Sequence, residues 1–240
     1  MIATTGINVD LIFEYRGQLL SGTWVTIQLA LISLAISLMF GLLGAWAKLS
    51  KNYLAQKTAA GYTTLVRGVP DLVLILLVFY GGQELFNSLG IATGLWDYVE
   101  ISQFAAGAGT IGIVFGGYMT ETFRGAIIAI PRGQIEAGVA CGMNRLTIFR
   151  RVIWPQMVRY ALPGFSNNWL VQIKSTALVS VIGLQDVVYN GFVAGKSTRQ
   201  LFTFMFAVLI IYLLLTAVSD LVLRWLDRKY SKGIVRSDNG

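Results

Sequence analysis

The residues that could do chemistry are few, and their types narrow the choice at once. The 240-residue chain has no histidine and one cysteine, Cys141. Disulfides within the chain, His- or Cys-based metal sites, Ser/His triads and haem ligation by histidine are therefore excluded. What remains is a set of polar side chains in apolar surroundings. Asn167, Asn168, Gln172, Lys174, Ser175 and Thr176 crowd one stretch. Polar groups in hydrocarbon are costly and face a cavity or another helix. A polar path for a solute explains this set better than glue between helices, because glue seldom needs a lysine.

Other charged residues have two readings each. Glu121 and Arg124 are three apart on one helical face and either neutralise each other or leave Glu121 to hold a cationic solute. Arg67 and Asp71, four apart around Pro70, could pair, and with Arg124 they are candidates for a gate or an interface. Asp71 and Asp220 could serve an intramembrane aspartyl hydrolase, but nothing around them makes a pair sharing one proton. Gly195-Lys196-Ser197-Thr198 looks like the end of a phosphate-binding loop, yet that pattern needs a glycine at position 190, which is Asn.

These residues must be positioned by membrane helices. The chain is 55% hydrophobic and 13% charged, with a mean hydropathy of +0.64, too apolar for a soluble domain. The spacing predicts five spans, at 23–47, 63–86, 101–124, 159–183 and 200–223, in one all-α membrane domain covering 1–240. The third span is dense in small residues, and Gly112 and Gly116 form a GxxxG pair suited to close helix packing in lipid. Pro163-Gly164 predicts a break in the fourth span, a device by which transporters build sites at mid-membrane. From Gly183, Lys174 lies roughly 14 Å deep, whereas Glu121 lies about 25–30 Å from that face, so the two serve separate purposes. The first residues carry Asp10 and Glu14 and lack a basic start, unlike a cleaved signal peptide.

Orientation follows from the bases. Lys and Arg number one before the first span, four in the first loop, none in the second, six in the third, two in the fourth and five in the tail. The rich loops alternate, which places the N-terminus outside and the C-terminus inside. The charge of +7 is thus explained by orientation, without nucleic acid as a partner.

The loop 131–156 then faces the cytoplasm. Its core, EAGVACGMNRLTIFRRVIWP from Glu136 to Pro155, reads as a short helix, a glycine break and a proline-marked return to the membrane. Glu136 favours the positive end of the helix dipole. Gly138 and Gly142 are expected on one bare face, where another surface could approach the backbone. The other reading is an ordinary polar loop helix.

The spacing of Glu136, Ala137, Gly142 and Pro155 resembles the EAA loop of ABC-importer permeases, with Gly138, Val152 and Trp154 departing from the pattern. Arg67-Gly68-Val69-Pro70, Glu121-Thr122-Phe123-Arg124-Gly125, Lys174-Ser175-Thr176-Ala177-Leu178 and Leu226-Asp227-Arg228-Lys229-Tyr230 extend the likeness to the polar amino acid subfamily, over nearly the whole chain. It is most similar to the HisQ/HisM-type permeases for histidine and lysine/arginine/ornithine, with opine permeases near. The resemblance implies a type I importer permease fold in the bacterial cytoplasmic membrane and no enzyme activity of its own. It implies a second five-span permease (HisM-like or a copy of this chain), two ATP-binding subunits holding ATP and Mg, and an extracytoplasmic solute-binding protein. Glu136, Ala137, Gly138, Gly142, Arg150 and Pro155 would couple to the ATPase. A passive channel or scaffold is the rival, and it has no use for a docking helix.

Overall fold

The structure, a computed structural model, describes residues 7–230; Lys232 and Arg236 of the basic tail lie outside them. Every regular element among these residues is helical. A short α1 (Val9–Glu14) leads into α2 (Arg16–Leu49), 34 residues long. After an Asn52 cap come α3 (Tyr53–Gly68), α4 (Asp71–Leu76) and α5 (Gly82–Thr93), the last two joined by a π-turn at Leu77–Gly81. The centre of the molecule is α6 (Gln103–Ile128). A loop carrying α7 (Arg132–Ala140) and α8 (Arg145–Ile148) leads through a second π-turn, Phe149–Ile153, into α9 (Trp154–Ser175). A 3-10 segment (Thr176–Ile182), α10 (Val187–Ser197) and α11 (Leu201–Tyr230) complete the chain.

Among the described residues, three helical stretches are long and apolar enough to cross a membrane: Arg16–Leu49, Asp71–Thr93 and Leu201–Tyr230. The stretch Arg145–Ile182 with Val187–Ser197, bent by 52°, is a fourth if taken as one broken span. α6 falls outside that set for a physical reason. It has 26 residues, fourteen of them buried, so its surroundings are other helices and its glycines replace bulky side chains. Side chains of α2 sit in the gaps: a Cβ built on Gly112 would lie 2.5 Å from the Ile36 side chain, and one on Gly116 2.6 Å from Phe40. This is the close backbone approach that the GxxxG spacing predicts.

Two segments differ from expectation. Residues 63–86 are not one helix: Val69 is extended (φ −112°, ψ 138°) before Pro70, which starts α4. Proline disfavours helical backbone in the residue before it and lacks the N–H that would continue α3. Conversely, α9 runs unbroken through Pro163. The regular helix changes later, at the 3-10 segment closed by Gly183 in the left-handed region (φ 91°). The site of irregular backbone is therefore moved from Pro163-Gly164 to 176–183, directly after Lys174.

Candidate functional site

The loop between α6 and α9 is built to hold a fixed shape. Pro131 prevents α6 from continuing and leads into α7. At the other end of α7, Met143 N–H donates to Gly138 O (3.0 Å) and Gly142 N–H to Val139 O (2.9 Å), the pair of bonds that closes a helix in a Schellman turn. Such a turn needs a left-handed residue, and Gly142 has φ 74°. Asn144 then caps α8, its Oδ1 accepting from Thr147 N–H at 2.8 Å.

The expected bare glycine face is corrected by this geometry. Gly142 lies beyond the end of α7, and Gly138 is buried beneath Ile148, whose Cγ1 would be 3.3 Å from an added Cβ. Both glycines shape the loop from within. The outward surface belongs to other residues: Glu136 and Ala137 are exposed, beside Val139 at 61% and Leu146 at 65% exposure.

Pro155 determines how the loop re-enters the bundle. It has no N–H, and the turn before it widens so that Trp154 N–H reaches Phe149 O, five residues back. Gln156 Nε2 donates to Val152 O at 2.9 Å, satisfying a carbonyl in that turn. Arg150 and Arg151 are exposed on it.

The polar set on α9 divides in two. Asn168 Nδ2 donates to Thr122 Oγ1 on α6 (3.0 Å). Ser37 Oγ donates to the fully buried Gln172 (3.4 Å), Ser175 Oγ to Asp71 Oδ2 (3.5 Å), and Thr176 Oγ1 lies 3.2 Å from Tyr212 Oη. These four are bonded between elements. Asn167 and Lys174 are not. They lie exposed with Pro163 and Val171, at spacings of four, four and three that align on one helix face. An isolated lysine and asparagine on a membrane helix do not face lipid tails.

A second polar site forms where α2, α3 and α6 meet. Glu121 is held by two cations: Arg124 Nη2 at 2.8 Å and Lys48 Nζ, which also donates to Thr63 Oγ1 at 2.6 Å. Arg67 lies 5.4 Å from the centre of the Tyr118 ring and does not pair with Asp71. Lys48, Thr63, Thr64, Arg67, Tyr118 and Glu121 line an open hollow of about 580 Å³. Its charge is net positive, because Glu121 is already shared. Lys48 was legible only as an orienting base, since its partner is 73 residues away and no local spacing signals the pair. Asp220 is paired with Arg224 at 2.6 Å, so it and Asp71 have separate partners. Gly195 to Thr198 ends α10 instead of leading into a helix N-terminus, the wrong place to cradle phosphate.

Long apolar helices, polar side chains bonded between them and a loop of fixed shape at one end are the features of a membrane-embedded subunit. The chain belongs to the family of binding-protein-dependent transport system inner membrane components, whose model matches residues 37–232. It is 49% identical to the histidine/lysine/arginine/ornithine transport system permease protein HisQ of Escherichia coli strain K12, over 95% of this chain and all of that protein. The octopine transport system permease protein OccQ of Rhizobium radiobacter is 42% identical over 91% of this chain and 92% of its own length. The crystal structure of an amino acid ABC transporter with histidines superposes with a TM-score of 0.79 at 28% identity, covering 94% of this chain and 100% of that one. A MetNI methionine ABC transporter chain shares the fold, with a TM-score of 0.69 at 18% identity, over 90% and 97% of the two chains.

Proposed function

We propose that this chain is one of the two membrane subunits of an ATP-driven importer for a basic amino acid of the histidine, lysine, arginine and ornithine group. The observation that carries this reading is the loop after α6: a helix of fixed shape with an outward Glu136-Ala137 surface and exposed Val139 and Leu146. A passive pore or scaffold has no use for such a surface. The 49% identity to HisQ against 42% to OccQ favours a basic amino acid over an opine.

In this reading the chain crosses the membrane five times, with spans near 23–47, 71–93, 101–124, 159–183 and 200–223, the N-terminus outside and the C-terminus inside. α7 docks in a groove on one of two ATP-binding subunits, which carry ATP and Mg. Glu136 and Ala137 touch that subunit; Gly138, Gly142 and Pro155 hold the docking surface in place, and Arg150 adds charge beside it. ATP-driven closure moves α7 and, through the turn before Pro155, α9. The two access states must differ in free energy for this to drive transport.

The second permease, related or identical, covers the Asn167–Lys174 face, and the solute passes between the two. Lys174 and the hollow bordered by Arg67, Lys48 and Glu121 suit the carboxylate of an amino acid. An extracytoplasmic binding protein delivers the solute. The test is co-expression with the neighbouring transport genes, followed by uptake of labelled arginine and histidine into vesicles containing the binding protein. ATP-dependent accumulation supports the reading. ATP-independent equilibration, or purification without any ATPase subunit, contradicts it.

A further inference from the structure

The face of α9 opposite the Asn167–Lys174 stripe borders an apolar seam with no protein filling it. α2 and α9 both pack on α6 but meet each other only sparsely. Between them runs a hollow of about 280 Å³ lined by Leu38, Leu42, Phe123, Trp154, Val158 and Phe165 among others, and entirely apolar in side-chain type. A separate hollow, of about 200 Å³, lies between the same helices and α11, lined by Ile27, Leu31, Trp169 and Leu215 together with Thr26 and Ser219. The α9 wall of the first hollow, from Trp154 to Phe165, measures about 16 Å along the helix, matching the roughly 15 Å occupied by the chains of one leaflet.

The seam has a charged mouth. Arg150 and Arg151 lie in the turn immediately before Trp154, exposed and without an ion-pair partner among the described residues. With Thr147 they border a separate hollow of about 390 Å³. Phe149 and Trp154 pack with ring centres 6.0 Å apart at the same level, the amphipathic aromatic placement found at headgroup depth. An acyl-length apolar groove ending at paired, unneutralised guanidiniums matches one ligand chemistry. We propose that this seam binds an anionic phospholipid, one acyl chain against Leu38, Leu42, Val158 and Phe165 and the phosphate at Arg151 beside Arg150.

The test uses the purified transporter complex in nanodiscs of phosphatidylcholine containing a small fraction of either brominated phosphatidylglycerol or brominated phosphatidylcholine. Quenching assigned to Trp154 is the fluorescence difference from a Trp154→Phe complex. Brominated phosphatidylglycerol is expected to quench this signal at lower mole fraction than its neutral counterpart. Arg151→Gln should weaken that preference about fivefold, and Val158→Phe, or Leu42→Phe from the other wall, should reduce quenching by filling the groove. Equal quenching of the wild-type complex by both lipids overturns the proposal without any variant. So does a preference unchanged in Arg151→Gln. Both leaflets of the disc are identical and no transport is read, so the outcome is independent of the proposed substrate and orientation.

Discussion

Ile148 lies directly over Gly138, near enough that a Cβ at 138 would be 3.3 Å from Ile148 Cγ1. The two residues pack α8 against α7, which makes the loop after α6 one body instead of two linked helices. A bulky residue at 138 must push them apart. Gly138→Leu is expected to cost about 1–3 kcal/mol in the loop and to reduce recovery of the ATPase subunit with the permease. Pairing it with Ile148→Ala should restore much of that recovery, and a double-mutant cycle on ATPase binding checks it. Additive losses would separate the two residues.

Gly142 acts through its backbone alone. Its φ of 74° costs other L-residues about 1–2 kcal/mol, and no side chain stands nearby to clash. Gly142→Ala should therefore weaken ATPase recovery, while Gly142→Asn, which tolerates this region, should weaken it less. Equal loss in both would point to direct contact by the glycine instead.

Restoring an N–H at 155 should let the wide turn close. Pro155→Ala is expected to turn the π-turn into α-helix, rotating α9 against the loop by about 100° per residue of register. The complex should still assemble, but binding protein and solute should no longer stimulate ATP hydrolysis. Unchanged stimulation would show that the turn carries no motion.

Glu121 neutralises two cations at once, with Lys48 and Glu121 only 15% and 23% exposed. Glu121→Gln leaves Lys48 and Arg124 facing each other and should destabilise the chain by about 1–3 kcal/mol. Lys48→Met combined with Glu121→Gln should cost less than the sum of the two. Thermal unfolding of the four proteins in detergent measures the coupling.

Much of this architecture was legible in the residues. The apolar run around Thr23–Ala47 and that from Leu201 to Ser219 fall within single helices, because a long uninterrupted apolar segment satisfies its own backbone in lipid only as a helix. The pairing of Glu121 with Arg124 followed from their spacing. What was not legible depended on distant partners or on where helices stop. Gly138 and Gly142 share a face only if α7 continues to 142, and it ends at Ala140. Pro163 suggested a break, but proline is tolerated inside membrane helices where neighbouring groups compensate. α10 was hidden because its apolar residues lie between two longer runs and carry no separate period.

In the proposed arrangement α7 faces the cytoplasm against a separate ATPase subunit, and Cys141 offers a direct measurement. It is exposed at the end of α7 and is the chain's single cysteine. With other cysteines of the complex removed, a membrane-impermeant maleimide should label it in inside-out vesicles stripped of the ATPase. Labelling should be absent in right-side-out vesicles and should fall when the ATPase is bound again. Labelling from the outer side, or labelling indifferent to the bound ATPase, would contradict the account.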